Sequence, residues 1–294
     1  MNSNYFVLKN HSLQRFHTFR LDVIASIIIL PLTKKGLISA LRDYSDRKFI
    51  IIGNGSNMIF KQTSYDESTV FIVTTMIDKI QINGDQLYVQ AGVTLNKLAW
   101  FTCENSIDGY AFCEDIPGTL GGALMMNAGQ WQYTIGQYVN WIEVYDYDTK
   151  ETRIIYPDEN FFVYRHSELN NQNVVVLSAS LKIKPGDYME ILDKMLEYRR
   201  ERYVKQPRNF PNGGSSFKRP KDKDGEWLFM WKLFDACDLR GYRVGDAQVS
   251  QKHPGFIVNC GNARVADVQL VIAECKKRVK EKFDVDIELE WRVI

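Results

Sequence analysis

The chain has 294 residues, 45% hydrophobic and 25% charged, enough to bury a substantial core and, by ordinary domain sizes, to form about two domains. Its 37 basic and 36 acidic residues leave a net charge of +1. That balance excludes the broad basic footprint that duplex nucleic acid requires and points to small-molecule partners, with no nucleic acid among them. The start, MNSNYFVLKNHSLQRF, lacks the apolar core of a signal peptide, and the run from Ile24 to Leu32 is too short to span a bilayer and contains Pro31. A cytoplasmic protein with no membrane contact is therefore expected; it is taken as a monomer, although nothing in the sequence bears on oligomeric state. Cys103, Cys113, Cys237, Cys260 and Cys275 are scattered and odd in number, so they read as reduced thiols, with no metal site.

Leu37, Ile38, Leu41 and Tyr44 repeat at helical spacing and lead into the apolar run FIII at 49–52, a buried strand. The loop GNGSN at 53–57 then runs into MIF at 58–60, which reads as a second strand. A Rossmann fingerprint needs its glycines between a strand and a helix, so this context argues against that fold. KIQINGDQLYVQ predicts a hairpin around Asn83 and Gly84, and TLNKLAWFTCEN a helix capped by Thr94. A further hairpin is expected at 141–155. The strand NVVVLSASLKI and a helix with Ile191, Leu192, Met195 and Leu196 on one face follow, up to the proline-rich QPRNFPNGG, where a domain boundary is expected near 205. Beyond it LFMWKLFDAC predicts a helix, AQVS and FIVN short strands, and Val268, Val271, Ile272, Cys275 and Val279 the buried stripe of a last helix. Strands and helices mix without strict alternation, which makes the class α+β.

Two glycine-bearing segments stand out. In IIGNGSNMIF, Gly53 and Gly55 let backbone amides wrap an anion, with Asn54, Ser56 and Asn57 as polar neighbours; by itself the segment reads first as a tight turn between strands. In IPGTLGGALMMNAGQ, Pro117 and Gly118 set a turn, Thr119, Gly121 and Gly122 follow, and a short segment leads to Asn127, Ala128 and Gly129. This loop can surround a flat ring and a pyrophosphate; close helix packing is the plainer alternative. The pair, about sixty residues apart, is more specific than either.

The order HTFRLDVIA, IIGNGSNMIF, AGVTLNKLA, IPGTLGGALMMNAG, FFVYRHSEL, QPRNFPNGGSSFKRP, GDAQVSQKHPGFIVN and ELEWR resembles the UDP-N-acetylenolpyruvoylglucosamine reductases, the MurB family, over nearly the whole chain. The resemblance implies two small FAD-binding α+β subdomains of the vanillyl-alcohol oxidase (PCMH-type) flavoprotein fold, 1–75 and 76–204, and a C-terminal α+β substrate domain, 205–294. It implies non-covalent FAD, NADPH as hydride donor and a UDP-sugar enolpyruvyl substrate, converted to UDP-N-acetylmuramate. The compact stretch between Arg165 and Gly214 resembles the shorter type, without an additional substrate-closing loop.

By the same resemblance Ser215 matches the proton-donating serine, Arg165 the active-site arginine and Glu290 the C-terminal glutamate. On their own these residues read as a turn serine, a surface arginine and a solvated glutamate. Ser216 stands beside Ser215, and Glu288 shares the strand parity of Glu290, opposite to Ile287, Leu289 and Trp291. Lys218, Arg219, Lys252 and His253 are candidates for the substrate diphosphate. Arg199, Arg200 and Arg202, in the last turn of a helix, read as partners of its dipole. Four departures from the family pattern leave open a different flavoprotein oxidoreductase or a non-catalytic paralogue: Asn54 for a glycine, Glu114 and Asp115 before the Pro-Gly turn, Pro254 and Gly255 after His253, and Trp291 for a small residue.

Overall fold

Threonines set the starts of the first two helices. Thr33 Oγ1 accepts from the Gly36 amide at 3.0 Å before α1 (Lys34–Asp43), and Thr94 Oγ1 accepts from the Lys97 amide at 3.1 Å before α2 (Leu95–Glu104). Each satisfies an amide that the helix leaves without a partner, a bond whose loss costs about 1 kcal/mol. The computed structural model describes residues 4–223 and 225–294. They group into two compact units. One holds the described residues up to Lys9, Ile27–Asn54 and Glu67–Arg202, and the other Asn10–Ser26, Gly55–Asp66 and Tyr203–Ile294.

In the first unit the strand Lys48–Ile52 pairs in parallel with the second half of Ser64–Val73, from Lys48 opposite Thr69 to Ile52 opposite Val73. A five-stranded antiparallel sheet follows, in the spatial order Thr152–Ile155, Val139–Asp146, Val174–Lys182, Gln86–Gln90, Ile80–Asn83. Both expected hairpins are in it. Alternation, with a register shift between Ser178 and Val176, sends its side chains into two cores: Tyr145, Val175 and Leu177 join Ile29, Leu37, Leu41 and Ile72, while Val144, Val176 and Ala179 join Leu98, Leu124, Ile191 and Met195. The second core is closed by α2, α3 (Leu120–Met126) and α4 (Tyr188–Lys205). On α4 the expected stripe is only half realised. Ile191 and Met195 are buried, whereas Leu196 is exposed, and the inward line runs instead through Tyr198 to Arg202.

The second unit carries a four-stranded antiparallel sheet, in the order Asn212–Ser215, Phe256–Asn259, Ala247–Val249, Arg243–Val244, with α5 (Met230–Ala236) and α6 (Val265–Phe283). All five stripe residues of α6 are buried, as the spacing predicts. The expected strand ELEWR is different. Leu289 makes an isolated bridge with Phe217, and only Arg292–Val293 forms a strand, parallel to Met58–Ile59. The Glu290 amide donates to Ser216 and the Arg292 amide to Asn57, so the chain changes partner between them and bends at Glu290. Among the described residues no helix is long and apolar enough to cross a membrane, and no cluster of three or more His, Cys, Asp or Glu is placed to hold a metal ion.

His17, in the HTFRLD segment, packs edge-on to Phe60 at 5.0 Å, and its Nε2 lies 3.0 Å from the Leu21 carbonyl, which fixes the hydrogen on that nitrogen. Nδ1 is buried without a hydrogen-bond partner among the described residues. Burial, with the Arg20 cation adding, lowers its pKa from 6.5 to about 4. The unfolded chain therefore binds a proton that the folded chain refuses. This stabilisation is complete above pH 6.5 and is lost as pH falls towards 4, a change of about 3 kcal/mol. Urea midpoints at neutral and mildly acid pH, compared between the parent and His17→Phe, test it. The variant is expected to be less sensitive to acid; an equal drop in both rules His17 out as the titrating group.

Candidate functional site

The two glycine segments meet through residues of the first unit. Asn54 Nδ2 donates to the Pro117 carbonyl at 3.0 Å, and a Cβ placed on Gly53 would lie 2.1 Å from Thr119 Oγ1. Only glycine allows this approach. The Thr119 hydroxyl is buried and has no hydrogen-bond partner among the described residues, and it does not cap α3. A buried hydroxyl left in this way costs free energy unless a ligand completes it. Gly121 and Gly122, at the start of α3, serve different purposes. A Cβ on Gly121 would meet Ala91 at 3.1 Å, whereas one on Gly122 finds nothing nearer than Thr119 Oγ1 at 3.8 Å. Gly121 is thus a packing glycine, and Gly122 opens the cradle. The residues present fit a pyrophosphate-bearing cofactor.

At the other end of α3, Asn127 takes a left-handed conformation (φ 43°), and its Nδ2 donates to the Val163 carbonyl at 3.0 Å. Val163 belongs to the hairpin Phe162–Val163 and His166–Ser167, whose two-residue turn is Tyr164–Arg165. Ser167 Oγ and Asn170 Nδ2 both donate to the Met125 carbonyl, at 3.1 and 2.6 Å, and fasten the hairpin to α3. Arg165 has φ 56°, and its Nη1 donates to the Gly129 carbonyl at 3.3 Å. The structure therefore brings Asn127 and Gly129 together with Arg165. Sequence reasoning passes over Ser167 and Asn170, whose target lies more than forty residues away in the chain.

Gly55, Ser56, Asn57, Ser215 and Glu290 lie in the second unit. Gly55 has φ 59°, its carbonyl accepts from the Thr18 amide, and a Cβ there would lie 2.4 Å from His17 Cβ. Asn57 holds both sides of Glu290: its Nδ2 donates to the Glu290 carbonyl at 3.2 Å, and its carbonyl accepts from the Arg292 amide at 3.0 Å. The Glu290 amide donates to the Ser216 carbonyl at 3.0 Å, which sets Glu290 beside the end of the strand carrying Ser215. The serine ambiguity separates by environment. Ser215 is exposed, following Gly214 at φ 77°, whereas Ser216 is fully buried and its Oγ accepts from the Ile257 amide at 2.9 Å. Glu288 is solvated and paired with Lys218 at 3.2 Å; Glu290 is half-buried.

Of the other basic candidates, Arg219 stacks on Phe229 at 4.2 Å and has a buried Nε without a hydrogen-bond partner among the described residues. Lys252 Nζ donates to the Tyr203 carbonyl at 2.6 Å. Burial holds the pKa of His253 below its ordinary value, and its Nδ1 accepts from the Gly255 amide, so it contributes a neutral ring. The four departures have structural work. Asn54 ties the loops, Glu114 accepts from Asn96 and pairs with Arg199, Asp115 pairs with Arg202, Pro254 is buried, and Trp291 donates to the Gly213 carbonyl at 2.7 Å while packing edge-on to Phe19.

Residues 206–294 match the C-terminal domain of UDP-N-acetylenolpyruvoylglucosamine reductase, and residues 25–154 match the FAD binding domain. The UDP-N-acetylenolpyruvoylglucosamine reductase of Caldicellulosiruptor bescii is 36% identical over 297 residues, covering 100% of this chain and 92% of its own. That of Clostridium tetani is 34% identical over 290 residues, with 98% and 92% covered. The crystal structure of the Thermus caldophilus enzyme (MurB) superposes with a TM-score of 0.81 at 28% identity, covering 98% of this chain and 99% of that one. Matched by both domain models and by relatives at this identity over nearly its whole length, this chain belongs to the UDP-N-acetylenolpyruvoylglucosamine reductase family, the FAD-dependent oxidoreductases called MurB.

Proposed function

We propose that the chain reduces UDP-N-acetylglucosamine enolpyruvate to UDP-N-acetylmuramate at the expense of NADPH, as a step of peptidoglycan precursor synthesis in the cytoplasm. The observation that carries this reading is an exposed Ser215 whose neighbour Ser216 accepts from the amide of Glu290, itself fixed on its other side by Asn57, in a chain of this family. When bound, FAD would supply the redox chemistry that links NADPH to the enolpyruvyl ether. Gly53, Asn54, Pro117, Gly118, Thr119 and Gly122 cradle that cofactor in the first unit, with Thr119 Oγ1 as a donor to it and Gly121 supporting α3 from behind. Gly55, Ser56 and Asn57 continue the first loop, and Asn127, Ala128 and Gly129 end the second.

Addition to the vinyl carbon drives negative charge into the neighbouring carboxylate system. A fixed cation stabilises that charge, and this is the role of Arg165, whose planar fork suits a carboxylate. Ser215 donates the proton that completes the adjacent carbon, with Glu290 orienting and supporting it. Lys218, Arg219 and Lys252 supply charge to the diphosphate, with the neutral His253 beside them. The reading assigns 1–75 and 76–204 to FAD and 205–294 to the sugar nucleotide, in a monomer of the shorter type that meets neither nucleic acid nor membrane.

The product tests the proposal. After anaerobic incubation with excess NADPH, mass spectrometry is expected to find the UDP-sugar heavier by two hydrogens, with deuterium retained from labelled NADPH. Unchanged substrate in the presence of full FAD would refute it.

A further inference from the structure

We propose that Arg202, together with Asp115 and Gln130, is a positioning device for Arg165; the inference rests on the role just given to Arg165. The turn Tyr164–Arg165 places a non-glycine residue at φ 56°, a left-handed conformation that persists only where the surroundings hold it. One such hold is the bond from Arg165 Nη1 to the Gly129 carbonyl. Gly129 lies in a strand of only two residues, Gly129–Gln130, paired with Tyr133–Thr134. So short a ladder cannot fix a carbonyl by itself.

The next residue supplies what the ladder lacks. Gln130 Oε1 accepts from Arg202 Nη1 at 2.7 Å, and Arg202 is rooted in the eighteen-residue helix α4. Its side chain is 15% exposed and lies 3.5 Å from the carboxylate of Asp115, itself 8% exposed. Asp115 in turn sits at φ 67° immediately before the Ile116–Pro117 turn. One largely buried guanidinium thus holds both the left-handed Asp115 and the two-residue strand whose Gly129 carbonyl accepts from Arg165. The Arg202 and Arg165 cations also repel each other, enough to help lower the pKa of Arg202 to about 10, with burial as the larger cause. Repulsion from α4 and attraction to Gly129 together leave the Arg165 guanidinium a narrow range of orientations.

Arg202 acts through Arg165 and is not itself placed on the substrate, so a double-mutant cycle on the FAD-loaded protein separates the two roles. Flavin bleaching by NADPH and reoxidation by UDP-N-acetylglucosamine enolpyruvate are followed separately in stopped flow. Arg202→Met is expected to keep FAD and bleach normally but reoxidise roughly tenfold more slowly, within the coupling range of residues in one network. Arg202→Lys should recover part of the rate. In an Arg165→Ala background the Arg202→Met change should cost nothing further. Gln130→Met removes the acceptor while leaving the helix cation in place; it should show the same pattern, and it carries the test if Arg202→Met does not fold.

The outcomes are distinct. An equal loss in both backgrounds, or a loss confined to FAD content, makes Arg202 a structural residue and overturns the inference alone. Wild-type reoxidation in Arg165→Ala removes the proposed role of Arg165 and the inference with it.

Discussion

Ser215→Ala is expected to be bleached by NADPH at close to the parent rate and then reoxidised by the enolpyruvyl substrate roughly a hundred to ten thousand times more slowly, the range of positioned general acids. The asymmetry arises because a proton donor to the substrate carbon has no part in reducing the cofactor. A serine hydroxyl is a poor acid in water, so its effect depends on placement. The structure holds Ser215 outward after the left-handed Gly214 and beside the pinned Glu290. Ser215→Cys should recover part of the rate, since a thiol also donates. The neighbouring change is a control with a different signature. Ser216→Ala removes the acceptor of the Ile257 amide and is expected to destabilise the fold by about 1 kcal/mol, with both half-reactions preserved. Fast reoxidation in Ser215→Ala together with slow reoxidation in Ser216→Ala would transfer the proton donor to Ser216 and contradict the geometry.

Gly122→Val is expected to give folded protein that has lost its yellow colour, with FAD affinity down by at least about a hundredfold, equivalent to roughly 3 kcal/mol. The new side chain enters open space beside Thr119 Oγ1, so the apoprotein should melt near the parent temperature. Gly121→Val reverses the pattern. Its Cβ meets Ala91 at 3.1 Å, and overpacking there should lower apoprotein stability by about 1–3 kcal/mol before cofactor binding is considered. Flavin content by absorbance and thermal melts of the stripped proteins separate the two. A Gly122→Val protein with full flavin would place the cofactor elsewhere.

Much of the architecture is local in origin and therefore legible in the sequence. Thr94 announces its helix by capping, Gly84 its hairpin, and the α6 stripe its buried face. Glu290 is a different case. Alternation groups it with Glu288, yet the segment is no regular strand, because Ser216 and Asn57 take successive parts of it, and Glu288 is exposed where Glu290 is half-buried. That competition comes from residues 74 and 233 positions away, which no local period encodes.

Arg202 shows the same limit from the other side. In the last turn of α4 it reads as a partner of the helix dipole, but it continues the line Ile191, Met195, Tyr198, and a cation on an inward line signals a buried ion pair. Asn54 and Trp291 read from the sequence as departures from the family pattern. Their partners, the carbonyls of Pro117 and Gly213, appear only in three dimensions, and they convert apparent losses into ties.

Consumption of NADPH, followed by its absorbance with and without UDP-N-acetylglucosamine enolpyruvate, tests the assigned activity most directly. The account predicts oxidation that depends on the enolpyruvyl sugar and yields one UDP-N-acetylmuramate per NADPH, with no hydrogen peroxide formed. Flavin-loaded protein that oxidises no NADPH with this substrate, or that passes the electrons to oxygen as peroxide, would contradict it.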